Sequence, residues 1–120
     1  MKYFLDTYAL VEITKGNRNF ENYLDSDAVT FHLNLAELYS SVLSDFDRKT
    51  ADYFFRIFSR LAIDMPPDII PKAIQFRKKH NKKNLSYADC LGYIFALENN
   101  RRFLTGDKEF RNMENVEFVR

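Results

Sequence analysis

Five short apolar runs, each broken by a polar or turn residue, constrain this chain more than any other feature. Lys2 to Leu5 stops at Asp6, and Ala28 to Phe31 gives way to His32. Leu61 to Asp64, Arg102 to Thr105 and Val116 to Val119 are equally brief. Between them lie stretches with helical spacing. Ala9, Leu10 and Ile13 recur on one stripe before Gly16-Asn17 ends the turn. Phe20 to Leu24 fits a short helical turn. Leu35, Leu38, Val42 and Phe46 form a stripe within 33–46, and Tyr53, Phe54, Ile57 and Leu61 form another in a helix opened near Asp47. The prolines of "MPPD" (65–68) force extended backbone, after which Asp68 is placed to cap a helix reaching His80. Ser86, with Asp89 three residues on, has the form of a capping box for a helix to Asn99. Strands alternating with helices imply an α/β fold: a three-layer α/β/α sandwich around a mostly parallel sheet of about five strands.

Composition narrows the function classes. At 120 residues the chain is expected to be one domain, 1–120, able to bury about two-thirds of its unfolded surface without a disulfide or structural metal. No run is apolar for long enough to span a membrane. The opening "MKYFLDTYALVEI" carries an acid where a secretory signal would be apolar, and one cysteine cannot form an internal disulfide, so a reducing cytoplasm is the expected location. Cys90 reads as an apolar filler. With 18 basic and 17 acidic residues, net charge says little, but its distribution is uneven. Arg77, Lys78, Lys79, Lys82 and Lys83 crowd around His80, and Arg101-Arg102 form a second basic pair. Such faces either meet solvent or hold phosphates.

Acids fall at informative positions. Ligands of open parallel sheets bind beyond the carboxyl ends of the strands. Asp6 ends the first run and Asp107 follows the fourth, so neighbouring strands would bring them to one edge. Asp89 lies along a stripe with Leu85, Gly92 and Ala96, as a cap or as a charge lining a cleft. Gly92 within a helix costs about 1 kcal/mol relative to alanine and implies a close neighbour. Glu37 shares its stripe with Ser40, Ser41 and Ser44, and periodicity alone makes it a solvated glutamate.

"YFLDTYALVEI" (3–13), "LNLAELYSSV" (33–42), "LSYADCLGYIFA" (85–96) and "RRFLTGDKEF" (101–110) together resemble PIN-domain proteins, and more narrowly the small toxin ribonucleases of VapBC-type toxin–antitoxin pairs. The resemblance runs from Lys2 to Phe118. It implies a PIN fold and a Mg²⁺- or Mn²⁺-dependent endoribonuclease with Asp6, Glu37, Asp89 and Asp107 as its catalytic and metal-binding acids. Asp89 follows Ser86 in the family manner, and Thr105, Asp107 and Phe110 complete a Thr-x-Asp-x-x-Phe pattern. Tyr8 departs from the family, standing where a serine is frequent. Glu109 is the nearest further acid and carries no assignment.

Like charges in one pocket raise one another's pKa values, and a hard cation relieves the conflict. An all-oxygen donor set favours Mg²⁺ or Mn²⁺, whereas His32, His80 and Cys90 lack the spacing of a zinc site. Asp6 and Asp107 are the expected direct ligands, with Glu37 and Asp89 holding water or completing the shell and Thr105 supporting them. The basic residues named above are candidate contacts to the RNA backbone, and Tyr8 a candidate for stacking on bases. The resemblance also implies a VapB-like antitoxin partner, and the amphipathic helices offer a groove for it or a homodimer face. Two rivals within the fold are a housekeeping RNA-processing nuclease and a catalytically silent binding module. A phosphoacceptor receiver domain is a third, with Asp64 as its only superficial match.

Overall fold

The computed structural model describes all residues, Met1 to Arg120. Its strands are β1 (Lys2–Leu5), β2 (Asp27–Phe31), β3 (Ala62–Ile63), β4 (Arg102–Thr105) and β5 (Val116–Phe118). All pairings are parallel, in the order β3-β2-β1-β4-β5. The helices are α1 (Thr7–Thr14), α2 (His32–Asp45), α3 (Arg48–Phe58), α4 (Ile70–Lys79) and α5 (Tyr87–Glu98), with 3₁₀ turns at Arg18–Asp25, Ser59–Leu61, Pro67–Ile69 and Lys108–Phe110. The three-layer α/β/α sandwich expected from the alternation of runs is present. Receiver domains use the order 2-1-3-4-5, so this connectivity excludes that reading.

Parallel strands are buried on both faces, which is why "KYFL", "DAVTF" and "RFLT" read as nearly continuous apolar runs. Alternation sorts their side chains. Phe4, Phe31 and Phe103 point to the layer of α4 and α5, where they meet Ala73, Ile94, Phe95 and Phe110. Tyr3, Leu5, Ala28 and Leu104 point to the opposite layer, against Leu10, Phe20, Leu35, Leu38 and Phe58. Phe4 is the hub of the first layer. Its ring lies 4.9 Å from that of Phe31, edge to face, and stacks at 5.9 Å on Phe103. Phenylalanine thus does the work that tryptophan does in many cores. Cys90 is buried in the same layer, and burial first of all pushes its thiol up to about 11, as suits a filler rather than a nucleophile.

Gly92 has the close neighbour its position implied. A Cβ there would stand 2.5 Å from the Phe4 ring and 3.2 Å from that of Phe103, so α5 lies on the sheet only because this position has no side chain.

Three local expectations need correction. Phe46 is exposed, because the backbone leaves the helix there. Tyr53 is also exposed; Phe54, Ile57 and Leu61 pack against the core as expected, but the fully buried positions of α3 are Ala51 and Phe58. Asp68 does not cap α4. It sits inside the 3₁₀ turn Pro67–Ile69, and Ile69 occupies the cap position without a side-chain bond.

The Gly92→Ala variant should lose about 1–2 kcal/mol in a urea titration. Displacing a core ring costs about 1–3 kcal/mol and outweighs the gain in helix propensity. Combining it with Phe4→Leu should be less than additive, since the smaller side chain vacates the contested space.

Candidate functional site

The chain runs β1, β2, β3 outward on one side of β1 and then returns to lay β4 and β5 on the other. Such a reversal leaves a crevice between the carboxyl ends of β1 and β4, since the following segments depart to opposite sides. Asp6 is the first residue after β1, and its N–H continues the ladder to the Leu104 carbonyl at 3.1 Å. Asp6 is the N-cap residue of α1, yet its side chain makes no cap bond. It is 1% exposed, and its Oδ2 accepts a hydrogen bond from the buried Thr105 hydroxyl at 2.8 Å. Thr105 in turn accepts the Asp107 N–H at 3.1 Å. One hydroxyl therefore ties together the two strand ends that carry aspartates.

The turn after β4 is held tightly. A Cβ on Gly106 would fall 2.2 Å from the Val119 carbonyl oxygen and 2.3 Å from the Tyr8 ring, so no other residue fits there undisturbed. The Val119 N–H donates to Thr105 O at 2.9 Å, and Arg120 Nε donates to Gly106 O at 3.0 Å. Tyr8 is half-buried against this turn and Phe20, so the expectation of a free stacking ring at Tyr8 is not met.

The helix acids are anchored as well. Ser86 and Asp89 form the capping box of α5: Asp89 Oδ2 accepts the Ser86 N–H at 2.8 Å, and Ser86 Oγ accepts the Asp89 N–H at 3.1 Å. Glu37 on α2 is not the solvated residue that its serine stripe implied. Its Oε1 accepts the Thr7 hydroxyl at 2.6 Å, and Thr7 accepts from Asn34 Nδ2 at 3.0 Å. Sequence reasoning missed Asn34, which is fully buried. A signal existed: it lies four residues before Leu38, a polar residue on the apolar stripe of α2.

The four acids share one habit. Each commits one oxygen to the protein: Asp6 to Thr105, Glu37 to Thr7, Asp89 to Ser86, and Asp107, through Oδ1, to the Glu109 N–H at 3.0 Å. The second oxygen of each has no protein partner, and Asp6 Oδ1 is buried with none. Their charges are mutually felt. Burial, then the charge of Asp89 and more weakly that of Asp107, hold the Asp6 carboxyl well above the usual range against the pull of the Thr105 hydroxyl and the Thr7 backbone N–H. Burial likewise raises Asp89, with Asp107 and Glu37 adding to it against the Ser86 bonds. No group of three or more acidic, histidine or cysteine side chains is gathered closely enough to grip an ion as a set. What links the four acids is charge: Asp89 acts on Asp6, and Asp107 and Glu37 act on Asp89.

A family model described as "PIN domain" matches residues 3–116. The chain belongs to the PIN-domain family. Among solved structures, this PIN domain is similar to Mycobacterium tuberculosis VapC20, described as a sarcin-ricin loop cleaving toxin. The TM-score is 0.83 at 15% identity, covering 99% of this chain and 100% of the other. Similar too are VapBC2 from Rickettsia felis, bound to a DNA fragment from its promoter, and a toxin–antitoxin complex from Klebsiella pneumoniae. The first gives a TM-score of 0.77 at 20% identity over 100% of both chains, the second 0.74 at 16% over 97% and 96%. At these identities the shared property is the fold. No curated protein sequence matches significantly.

The basic candidates divide. Arg77, Lys78 and Lys83 line one pocket, with Lys79 and Lys82 exposed nearby in sequence. Arg101 and Arg102 lie at the opposite, amino-terminal edge of the sheet, roughly 10 Å of strand away from Thr105. There Arg101 bonds Asp27 Oδ1 at 2.9 Å and the carbonyls of Asp27 and Tyr3, and Arg102 pairs with Glu117 at 3.2 Å. Their bonds brace strand ends, because Arg101 precedes β4 and Arg102 begins it, whereas Asp107 follows its other end.

The folded protein holds protons on Asp6 and Asp89 that the unfolded chain releases at about pH 3.9. Stability should therefore fall as pH climbs from about 4 toward their raised values. Thermal melts in EDTA between pH 5 and 8 should show this decline, and Asp6→Asn should flatten it and raise the melting temperature at pH 8.

Proposed function

We propose that this PIN domain is a Mg²⁺- or Mn²⁺-dependent endoribonuclease, acting in the cytoplasm as the toxin of a toxin–antitoxin pair. The observation that carries this is a set of four carboxylates, each with one oxygen anchored and one uncommitted, whose charges act on one another. The donor set is all oxygen, and the buried Asp6 Oδ1 lacks any protein partner, so a hard divalent cation fits it. Asp6 and Asp107 would hold the ion. Once bound, it would lower the pKa of the attacking water and offset charge on the scissile phosphate.

The rest of the chemistry belongs to the side chains. Asp6 is held by Thr105, so its Oδ1 is aimed without freedom to swing. Glu37, braced by Thr7 and Asn34, orients water toward the phosphorus and accepts its proton. Asp89, fixed by the capping box, would hold a further water or complete the ion's shell. Removal of solvent around Asp6 strengthens each of these electrostatic interactions.

The structural likeness to toxin–antitoxin complexes supports an antitoxin of VapB type as the partner. An apolar groove of about 510 Å³, lined by Ile13, Leu24, Phe54, Ile57 and Leu61, offers a seat for one of its segments. The exposed Tyr53 and Phe55 of α3 suit a homodimer face.

Cleavage of a labelled single-stranded RNA should require Mg²⁺ or Mn²⁺ and stop in EDTA. Asp6→Asn and Asp107→Asn should each abolish it while remaining folded. Activity that persists in either case overturns the assignment. Thr105→Val should weaken Mn²⁺ binding in calorimetry by roughly 10–100-fold, as loss of an outer-shell partner does.

A further inference from the structure

Glu109 is an acid to which neither the resemblance nor the mechanism gives a role. It lies in the 3₁₀ turn Lys108–Phe110, half-buried, two residues after Asp107. Its N–H donates to Asp107 Oδ1 at 3.0 Å, the bond that anchors that aspartate. Its side chain crosses to the loop before α5, where Oε2 accepts the Asn84 N–H at 3.1 Å. Lys83 Nζ donates to the Glu109 backbone carbonyl at 3.0 Å, not to its carboxylate.

The loop gripped in this way is itself fixed. Arg77 Nε donates to the Leu85 carbonyl at 2.9 Å, Leu85 is buried, and the Ser86 N–H donates to Asp89 Oδ2 at 2.8 Å. The turn is also pinned to α5, because the fully buried Phe110 ring lies 5.6 Å from that of Tyr93. Asn84 is thus two residues from the cap that orients Asp89, and Glu109 two residues from the acid it anchors. Burial raises the Asp89 carboxyl and the charge of Asp107 adds to it against the Ser86 bonds, so the two acids act on each other across this bridge.

We propose that Glu109 is a positioning residue. Its side chain sets the spacing of Asp107 and Asp89 by tying the turn after β4 to the loop that caps α5, and it takes no part in holding the ion. This rests on the nuclease reading and deepens it by assigning a residue that supports the acids. The group it binds is a backbone N–H, so the bond needs an acceptor oxygen on a side chain of this length, not a negative charge. Ligating carboxylates depend on such outer contacts for their orientation.

Calorimetric titration of the full-length protein with Mn²⁺, beside amide hydrogen exchange in EDTA, separates reach from charge. Glu109→Gln keeps the oxygen and the reach, and should bind Mn²⁺ within about twofold of wild type with unchanged exchange at Asn84. Glu109→Asp keeps the charge but is one methylene short, and should weaken Mn²⁺ binding roughly 10-fold and speed exchange at Asn84, as should Glu109→Ala. A glutamine variant as weak as the alanine one, an aspartate variant as tight as wild type, or an alanine variant of unchanged affinity would each overturn the proposal. Should the alanine variant not fold, the order of the glutamine and aspartate variants decides alone. Wild type that binds Mn²⁺ in this order of variants but cleaves no RNA would remove the nuclease reading and uphold the bracket. Wild type that binds no Mn²⁺ would overturn both.

Discussion

A buried hydroxyl–carboxylate bond holds this molecule's working edge together. Thr105 donates to Asp6 and accepts from the Asp107 backbone, and both side chains of that pair are inaccessible to water. Burying a carboxylate is costly unless its oxygens are satisfied, and here only one is. The fold tolerates the remaining cost at the point where the sheet reverses direction, since the crevice there exists for topological reasons whatever lines it. Destabilisation concentrated at such a point is the usual mark of a site kept for function rather than for stability.

The aromatic layer explains how so short a chain affords that cost. Phe4, Phe31, Phe95, Phe103 and Phe110 interlock behind the strand ends, and Gly92 allows α5 to close upon them. Because α5 is pressed to the sheet, its first turn carries Asp89 to within reach of the charge of Asp6. Packing thereby sets the position of the helix acids, and the capping box sets their orientation.

Parts of the architecture were plain from local pattern. Apolar runs of four or five residues separated by helical stripes specify strands and helices, because burial on two faces and burial on one leave different spacings. The capping box of α5 was equally legible, being a contact between residues three apart. Stripe phase was less so. Tyr53 and Phe46 fit a helical period but lie outside the core, since period does not state where a helix meets its neighbour or where its backbone turns away.

Residue types and their spacing sufficed for the fold class and for placing Asp6 and Asp107 at strand ends, because both are properties of consecutive backbone. The family likeness supplied Glu37, which periodicity would have left in solvent. Strand order alone decided the rest. Setting β4 beside β1 brings Thr105 to Asp6 across 99 residues and sends Arg101 and Arg102 to the far edge. Docking α2 against α1 joins Asn34, Thr7 and Glu37. Contacts between distant segments depend on how layers pack, and no local period encodes that.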